Sequence, residues 1–466
     1  METVTLHKIK KKKVFSPTRR IAFSFFLVIV IGSLLLKLPV CNQGQAIPYL
    51  DHLFVATSAT CVTGLVPTVV ADQYSFIGQC VILALIQIGG LGFLTLLNVL
   101  MVVFQKRLSY SNKILMQESL NQNSMKDITI YIKRVIKYTA FFELIGMICL
   151  FPVFIPEQGW IKGFYFSFFH SISAFCNAGF DILGPSSLVP YQSNIIINFV
   201  ISGLIIAGSM GFIVWIDLKH NYQAYKAKYD HFHWKKFMFT LQLHTKIVLF
   251  MTVGLLFIGT IGILLFEYGN METIGTLPFH EKLLVSFFQS TTLRTAGFST
   301  IDMALLYDPT KLFMSIFMFI GGSPAGTAGG IKTVTFAIIL LYIYSLSKGR
   351  EDIVIMNREI SDQVAKRALT ISMVSFFIAI SGLMILSITE NQEFINLTFE
   401  VFSAFGTVGI TAGVTPSLTM IGKCIIIILM YIGRIGPMTM VLIFAKRYNQ
   451  RKGKGIHYPS GDVLIG

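Results

Sequence analysis

Eight long apolar stretches dominate the 466-residue chain, at about 21–38, 74–103, 135–155, 194–216, 247–267, 311–346, 368–388 and 419–445. A bilayer core of ~30 Å is crossed by about 20 apolar residues in a helix, so each stretch reads as a membrane span. Composition agrees: 54% of residues are hydrophobic and 13% charged, with a mean hydropathy of +0.68. Soluble domains run near ~25% charged. Charge this sparse cannot wet several soluble domains, and one integral membrane body is expected. The first stretch is long and has no small-residue cleavage site after it, so it is kept as a helix rather than a cleaved signal.

The formal net charge is +15, and the placement of the cations decides what it means. Seven Lys and Arg precede the first stretch, seven lie between 106 and 137, six between 219 and 246, five between 348 and 367, and five between 446 and 454. These alternate connections hold 30 of the 38 cations, which predicts both termini on the cytoplasmic side. Positive charge along one membrane face argues against nucleic acid as a partner and for the lipid surface. The six cysteines, at 41, 61, 80, 149, 176 and 424, form no CxxC pair and read as small core residues. His231, His233 and His244 give only a weak metal signal beside a basic connection.

The four connections on the opposite side repeat one pattern. Phe54, Ser58, Gly64 and Leu65 correspond to Phe169, Ser173, Gly179 and Phe180, then to Phe287, Thr291, Gly297 and Phe298, then to Phe399, Ser403, Gly409 and Ile410. The glycines recur at intervals of 115, 118 and 112, and each sits between two apolar stretches. A fixed long period marks internal repeats. The expected architecture is an all-α integral membrane protein with four repeats of helix, pore loop and helix. It has eight transmembrane helices and four re-entrant pore helices around a pseudo-fourfold pore. The expected boundaries are a basic N-terminus 1–20, repeats at 21–104, 105–220, 221–347 and 348–446, and a tail 447–466. Each re-entrant helix would aim its partial negative end at the bilayer centre, and the glycine would turn successive carbonyls toward the axis, favouring a cation. No carboxylate is expected before the glycine in these segments.

The four glycine segments, the third-repeat Arg294-Thr295-Ala296-Gly297-Phe298 and the break in the sixth stretch resemble the Trk/Ktr/HKT superfamily of potassium transporters, over essentially the whole chain. With eight stretches and no nucleotide-binding domain, the chain resembles the bacterial KtrB-type membrane subunits of that superfamily. The resemblance implies potassium uptake influenced by sodium, a homodimer in the cell membrane, and a KtrA-like cytoplasmic ring of nucleotide-binding subunits. It implies K+ as substrate, Na+ as an activating ion, and no covalent cofactor. By position it implies a filter of backbone carbonyls from Val62, Thr63, Gly64, Asn177, Ala178, Gly179, Thr295, Ala296, Gly297, Thr407, Val408 and Gly409. Potassium-channel filters carry a second glycine two residues on, which all four loops here lack, so a shorter filter is expected. A sodium-permeable or poorly selective cation transporter or symporter of the same superfamily is the alternative. Gly64, where some sodium-preferring plant relatives carry Ser, favours potassium. Arg294 is expected to brace its loop from behind.

The sixth stretch spans about 36 residues, ~54 Å if helical, too long for one crossing. Its middle holds Gly321, Gly322, Ser323, Pro324, Ala325, Gly326, Thr327, Ala328, Gly329 and Gly330, which cannot stay helical. Irregular backbone at that depth belongs beside a cavity, so a gate loop under the filter is expected, against a bland reading as close helix packing. Gly89-Gly90-Leu91-Gly92, Gly208-Ser209-Met210-Gly211 and Gly433-Arg434-Ile435-Gly436 lie at similar depth and read as packing or kinks. Gly326–Thr333 falls short of a phosphate loop, because Ile331 stands where glycine is needed. Lys332 and Arg434 are costly within a bilayer and are expected in the inner cavity. There Arg434 raises the barrier to cations or pins the loop by bonding its carbonyls, against a bland reading as an ion pair with Glu143. A proton- or sodium-driven carrier would want mid-span carboxylates and inverted repeats. An enzyme would need a nucleophile–base pair or a metal cluster, and neither pattern is visible, so no catalysis is expected.

Overall fold

The computed structural model describes residues 17–92, 128–350, 352–356 and 358–436. The basic termini, the connection 93–127 and the ends of the second and eighth apolar stretches lie outside these. Four units follow one another. The first holds α1 (Pro17–Leu36), α2 (Tyr49–Cys61) and α3 (Phe76–Leu91). The second holds α4 (Ile128–Gln158), α5 (Trp160–Phe175), α6 (Ile195–Ser209) and α7 (Phe212–Lys228). The third holds α8 (Leu243–Glu267), α9 (Phe279–Thr292), α10 (Asp308–Phe319) and α11 (Thr333–Ser347). The fourth holds α12 (Asp362–Thr389), α13 (Phe394–Gly406) and α14 (Met420–Ile435).

Among the described residues, three helices are long and apolar enough to cross a bilayer alone, within α4, α8 and α12. Helices α6 and α7 pass the same test only as a pair, bent by 92° at the break before Phe212. Outward-facing Phe250, Phe257 and Ile388 stay exposed, an apolar surface suited to lipid and not to water. One departure from an all-helical expectation is a short antiparallel hairpin, β1 (Ile353–Ile355) with β2 (Arg358–Ile360), between α11 and α12.

The short helices α2, α5, α9 and α13 lie inside, each buried toward its C-terminal end. Neighbouring units share their cores. Val55, Tyr74, Phe154, Phe169 and Phe175 join the first and second units; Phe54, Leu65, Val401, Phe405 and Met430 join the first and fourth; Ile263, Val285, Met314, Phe399 and Val408 join the third and fourth. Side chains tie the outer ends. Glu390, at the end of α12, accepts from the backbone N–H of Thr419 at 3.0 Å, just before α14. Glu267, closing α8, accepts from the N–H of Tyr307 at 3.1 Å, just before α10. An acid there satisfies an N–H the helix start leaves free and sits at its positive end.

The cysteine reading needs a correction. Cys41, Cys61 and Cys176 are buried, but Cys80, Cys149 and Cys424 are exposed on outer surfaces. A thiol is apolar enough to face lipid, so an apolar run alone does not distinguish core from periphery.

Candidate functional site

Each buried short helix ends in the same backbone device. Val62, Asn177, Thr295 and Thr407 adopt left-handed conformations at φ 56°, 59°, 63° and 53°, and two residues later Gly64, Gly179, Gly297 and Gly409 take φ 106°, 68°, 83° and 95°. In the first, second and fourth units a six-residue cap closes the helix. The N–H groups of Thr63, Ala178 and Val408 donate to the carbonyls of Ser58, Ser173 and Ser403, each at 2.8 Å. Glycine normally fills the left-handed place in such a cap. Three of the four residues here are β-branched, for which this conformation costs about 1–2 kcal/mol each.

Buried hydroxyls hold the turns from behind. Ser58 Oγ accepts from Gly64 N–H at 3.0 Å and Ser403 Oγ from Gly409 N–H at 3.1 Å. Ser173 Oγ accepts from Phe180 N–H at 3.0 Å and donates to Phe180 O at 2.7 Å. The third unit departs from the sequence pattern. Thr291, the aligned residue, donates back to Phe287 O, while Thr292 takes the bracing role by donating to Phe298 O at 2.7 Å.

The turns meet head to tail. A Cβ placed on Gly64 would stand 2.7 Å from Ala178 O, one on Gly179 2.7 Å from Ala296 O, one on Gly297 2.8 Å from Val408 O, and one on Gly409 1.8 Å from Thr63 O. The carbonyl preceding each glycine therefore lies against the glycine of an adjacent unit, and the fourth closes on the first. All twelve residues predicted for the filter come together in this ring. One face of the ring opens on a cleft of about 500 Å³ lined by all four glycines with Val66, Asp181, Ser299 and Thr411. A partly buried ion pair joins the fourth unit to the first, Lys423 of α14 with Asp51 of α2 at 2.5 Å.

The segment 321–331 lies against the other face. Thr327 Oγ1 donates to Phe175 O at 3.2 Å and Asn177 Oδ1 at 3.0 Å, both in the second unit. A Cβ on Gly329 would stand 2.1 Å from Thr407 Oγ1, and one on Gly330 3.2 Å from Gly406 O, both in the fourth unit. The segment thus touches the undersides of two non-adjacent turns. It docks on the break between α6 and α7: Ser323 N–H donates to Ser209 O at 2.9 Å, Thr327 N–H to Gly208 O at 3.2 Å, and Phe212 N–H to Ala325 O at 3.1 Å.

Lys332 and Arg434, the two cations expected in the inner cavity, both meet this loop. Arg434 donates to Thr327 O and to Gly89 O through short hydrogen bonds, and to Gly90 O at 3.3 Å. Glu143 instead accepts from Gln87 at 3.0 Å, so the Arg434–Glu143 pair weighed from sequence gives way to the carbonyl contacts. Lys332 immediately precedes α11 and donates to Ala328 O at 2.7 Å. The glycine clusters expected to be packing are so placed: a Cβ on Gly89, Gly208 or Gly433 would fall within 2.0 Å of a carbonyl at the end of α2, α5 or α13.

Two expectations need correcting. Arg294 is buried, but among the described residues no acceptor meets its guanidinium, so it does not brace by hydrogen bonding; its carbonyl instead accepts from Asn177 Nδ2 at 3.0 Å. The fourth segment does carry an acid, Glu400, nine residues before Gly409. It is buried in α13, accepting from Thr411 at 2.9 Å and from Thr415, where it supports the chain beyond the turn. Nothing in the motif marked it, because the aligned residues are Val55, His170 and Phe288.

Apolar helices around a four-unit ring of glycine turns fit a multi-pass membrane protein. A TrkH profile, described as "Cation transport protein", matches residues 3–455, and the chain belongs to that family. The Ktr system potassium uptake protein B of Bacillus subtilis (strain 168) is 40% identical over 464 residues, covering 100% of both chains. The potassium/sodium uptake protein NtpJ of Enterococcus hirae is 39% identical over 469 residues, 99% of this chain and 100% of that one. A crystal structure of the potassium transporter TrkH from Vibrio parahaemolyticus shares the fold, with a TM-score of 0.72 over 94% of this chain and 87% of that one at 16% identity.

Proposed function

We propose that this chain is the ion-translocating membrane subunit of a potassium uptake system, crossing the cell membrane eight times with both termini in the cytoplasm. The observation that carries the reading is the head-to-tail ring, in which Thr63, Ala178, Ala296 and Val408 each set a carbonyl against a neighbouring glycine. Four carbonyls on one axis replace an ion's water shell without any fixed carboxylate. The C-terminal ends of α2, α5, α9 and α13 add partial negative charge there. The residues 62–64, 177–179, 295–297 and 407–409 form the filter. Segment 321–330 is the gate, supported by its contacts beneath two turns and its anchorage to Arg434. The names of the relatives support potassium as cargo and membership of a multi-subunit Ktr-type system; within that reading the chain works as a homodimer on a cytoplasmic ring of nucleotide-binding subunits.

A second reading, a pore that also passes sodium, is favoured by the potassium/sodium name of the enterococcal relative and by the absence of a second glycine in each turn. Isotopic uptake into vesicles containing the purified chain tests both. Rubidium uptake that exceeds sodium uptake and is competed by potassium supports the first reading. Equal uptake supports the second, and no uptake of either ion overturns both.

A further inference from the structure

Among the described residues, only one of the four left-handed residues forms side-chain hydrogen bonds beyond its own turn. Val62 carries no polar atom, and the hydroxyls of Thr295 and Thr407 have no hydrogen-bond partner among the described residues. Asn177 uses both ends of its amide. Its Oδ1 accepts from Thr327 Oγ1 at 3.0 Å, and its Nδ2 donates to Arg294 O at 3.0 Å. Both Asn177 and Thr327 are completely buried, so no water competes for these bonds. A single side chain in the second turn thus joins the loop below to the end of α9, three residues before Gly297. The loop residue is held in turn by Arg434 of the fourth unit through its carbonyl.

We propose that the Thr327–Asn177 hydrogen bond is a latch that makes ion selectivity depend on the position of the 321–331 loop, with Thr327 and Asn177 as specificity-positioning residues. The proposal rests on reading the ring as filter and the loop as gate. When the loop lies beneath the ring, Thr327 fixes the amide plane of Asn177, and the amide fixes the spacing between the second and third turns. When the loop withdraws, Asn177 Oδ1 loses its buried donor and the amide turns to find another. The next carbonyl, Ala178 O, faces Gly64, so a change at Asn177 passes directly into the ring. Flux and discrimination between potassium and sodium then change together, and a regulator acting on the loop alters both.

The test uses the full chain in its assembled complex, reconstituted in lipid vesicles, with rubidium and sodium isotope fluxes measured in parallel. Thr327→Val keeps the side-chain shape and removes the donor. It should lower the rubidium-to-sodium flux ratio by roughly 3- to 10-fold, the worth of one buried hydrogen bond. Thr327→Ser keeps the hydroxyl and should retain the ratio of the unaltered protein. An unchanged ratio in Thr327→Val overturns the latch whatever happens to total flux, and so does an equal loss in Thr327→Ser. If Thr327→Val fails to assemble, the variant lacking residues 323–329 decides: its ratio must fall, and a preserved ratio at raised flux rejects the latch while leaving the gate intact. Flux that does not rise on that deletion counts instead against the gate.

Discussion

The four glycine turns and the 321–331 loop are both glycine-rich and both irregular, yet glycine serves different ends in them. In each turn one glycine takes a positive φ and also lies against a neighbouring carbonyl. Among the five loop glycines only Gly330 has a positive φ, while Gly321, Gly322, Gly326 and Gly329 would each place a Cβ within 2.9 Å of a neighbour. The turns need glycine for conformation as well as space; most of the loop needs it for space alone. In the turns the backbone conformation itself disfavours a side chain, whatever the neighbours do. In most of the loop only the neighbouring surface excludes a side chain, so the exclusion lapses wherever that surface is not in contact. The same substitution should therefore act with opposite signs in the two regions.

The largest effect is expected in the ring. Gly409→Ala sets a methyl against Thr63 O at φ 95° and should reduce rubidium uptake by roughly 100-fold, as a ~3 kcal/mol distortion implies. Uptake close to normal would break the conformational half of the comparison. Deleting residues 323–329 should raise flux by about 10-fold, as expected when a state populated at most ~10% of the time becomes permanent; vesicle uptake without the regulatory partner reads this directly. Arg434→Ala removes the donors to Thr327, Gly89 and Gly90 and should raise flux by about 5-fold, the equivalent of one net hydrogen bond. Gly329→Ala pushes the loop off Thr407 and should raise flux by about 3-fold, less than one hydrogen bond's worth. A fall in flux for Gly329→Ala, in correctly assembled protein, would place that glycine with the turns and remove the distinction.

The positions of the turns were legible in the sequence because they repeat: four phased glycines between apolar stretches leave few arrangements open. The non-helical break in the sixth stretch was legible for the same kind of reason, since five glycines and a proline in ten residues exclude helix. What did not show was anything decided by tertiary fit. Nothing about Val62, Thr295 or Thr407 as residue types announces a left-handed backbone, because β-branched side chains disfavour it locally and only the packed ring imposes it. The shift of the brace from Thr291 to Thr292 follows from α9 ending five residues before Gly297, where α2 ends three before Gly64. The bend at Gly208–Gly211 was anticipated as a kink, but its role as the loop's dock depends on residues over a hundred positions away. Glu400 escaped notice because its partners, Thr411 and Thr415, come together only when the chain returns past the turn.

The bridge between Lys423 and Asp51 joins residues 372 positions apart in the chain. The last quarter of the ring and the cation that pairs with Asp51 are thus synthesised after the other three units. Until then the first turn lacks the Gly409 neighbour that faces Thr63 O, and the carboxylate of Asp51 lacks its counter-charge. A chain cut short before residue 409 therefore cannot close the circle. Closure of the ring thus depends on the last quarter of the sequence as much as on the first.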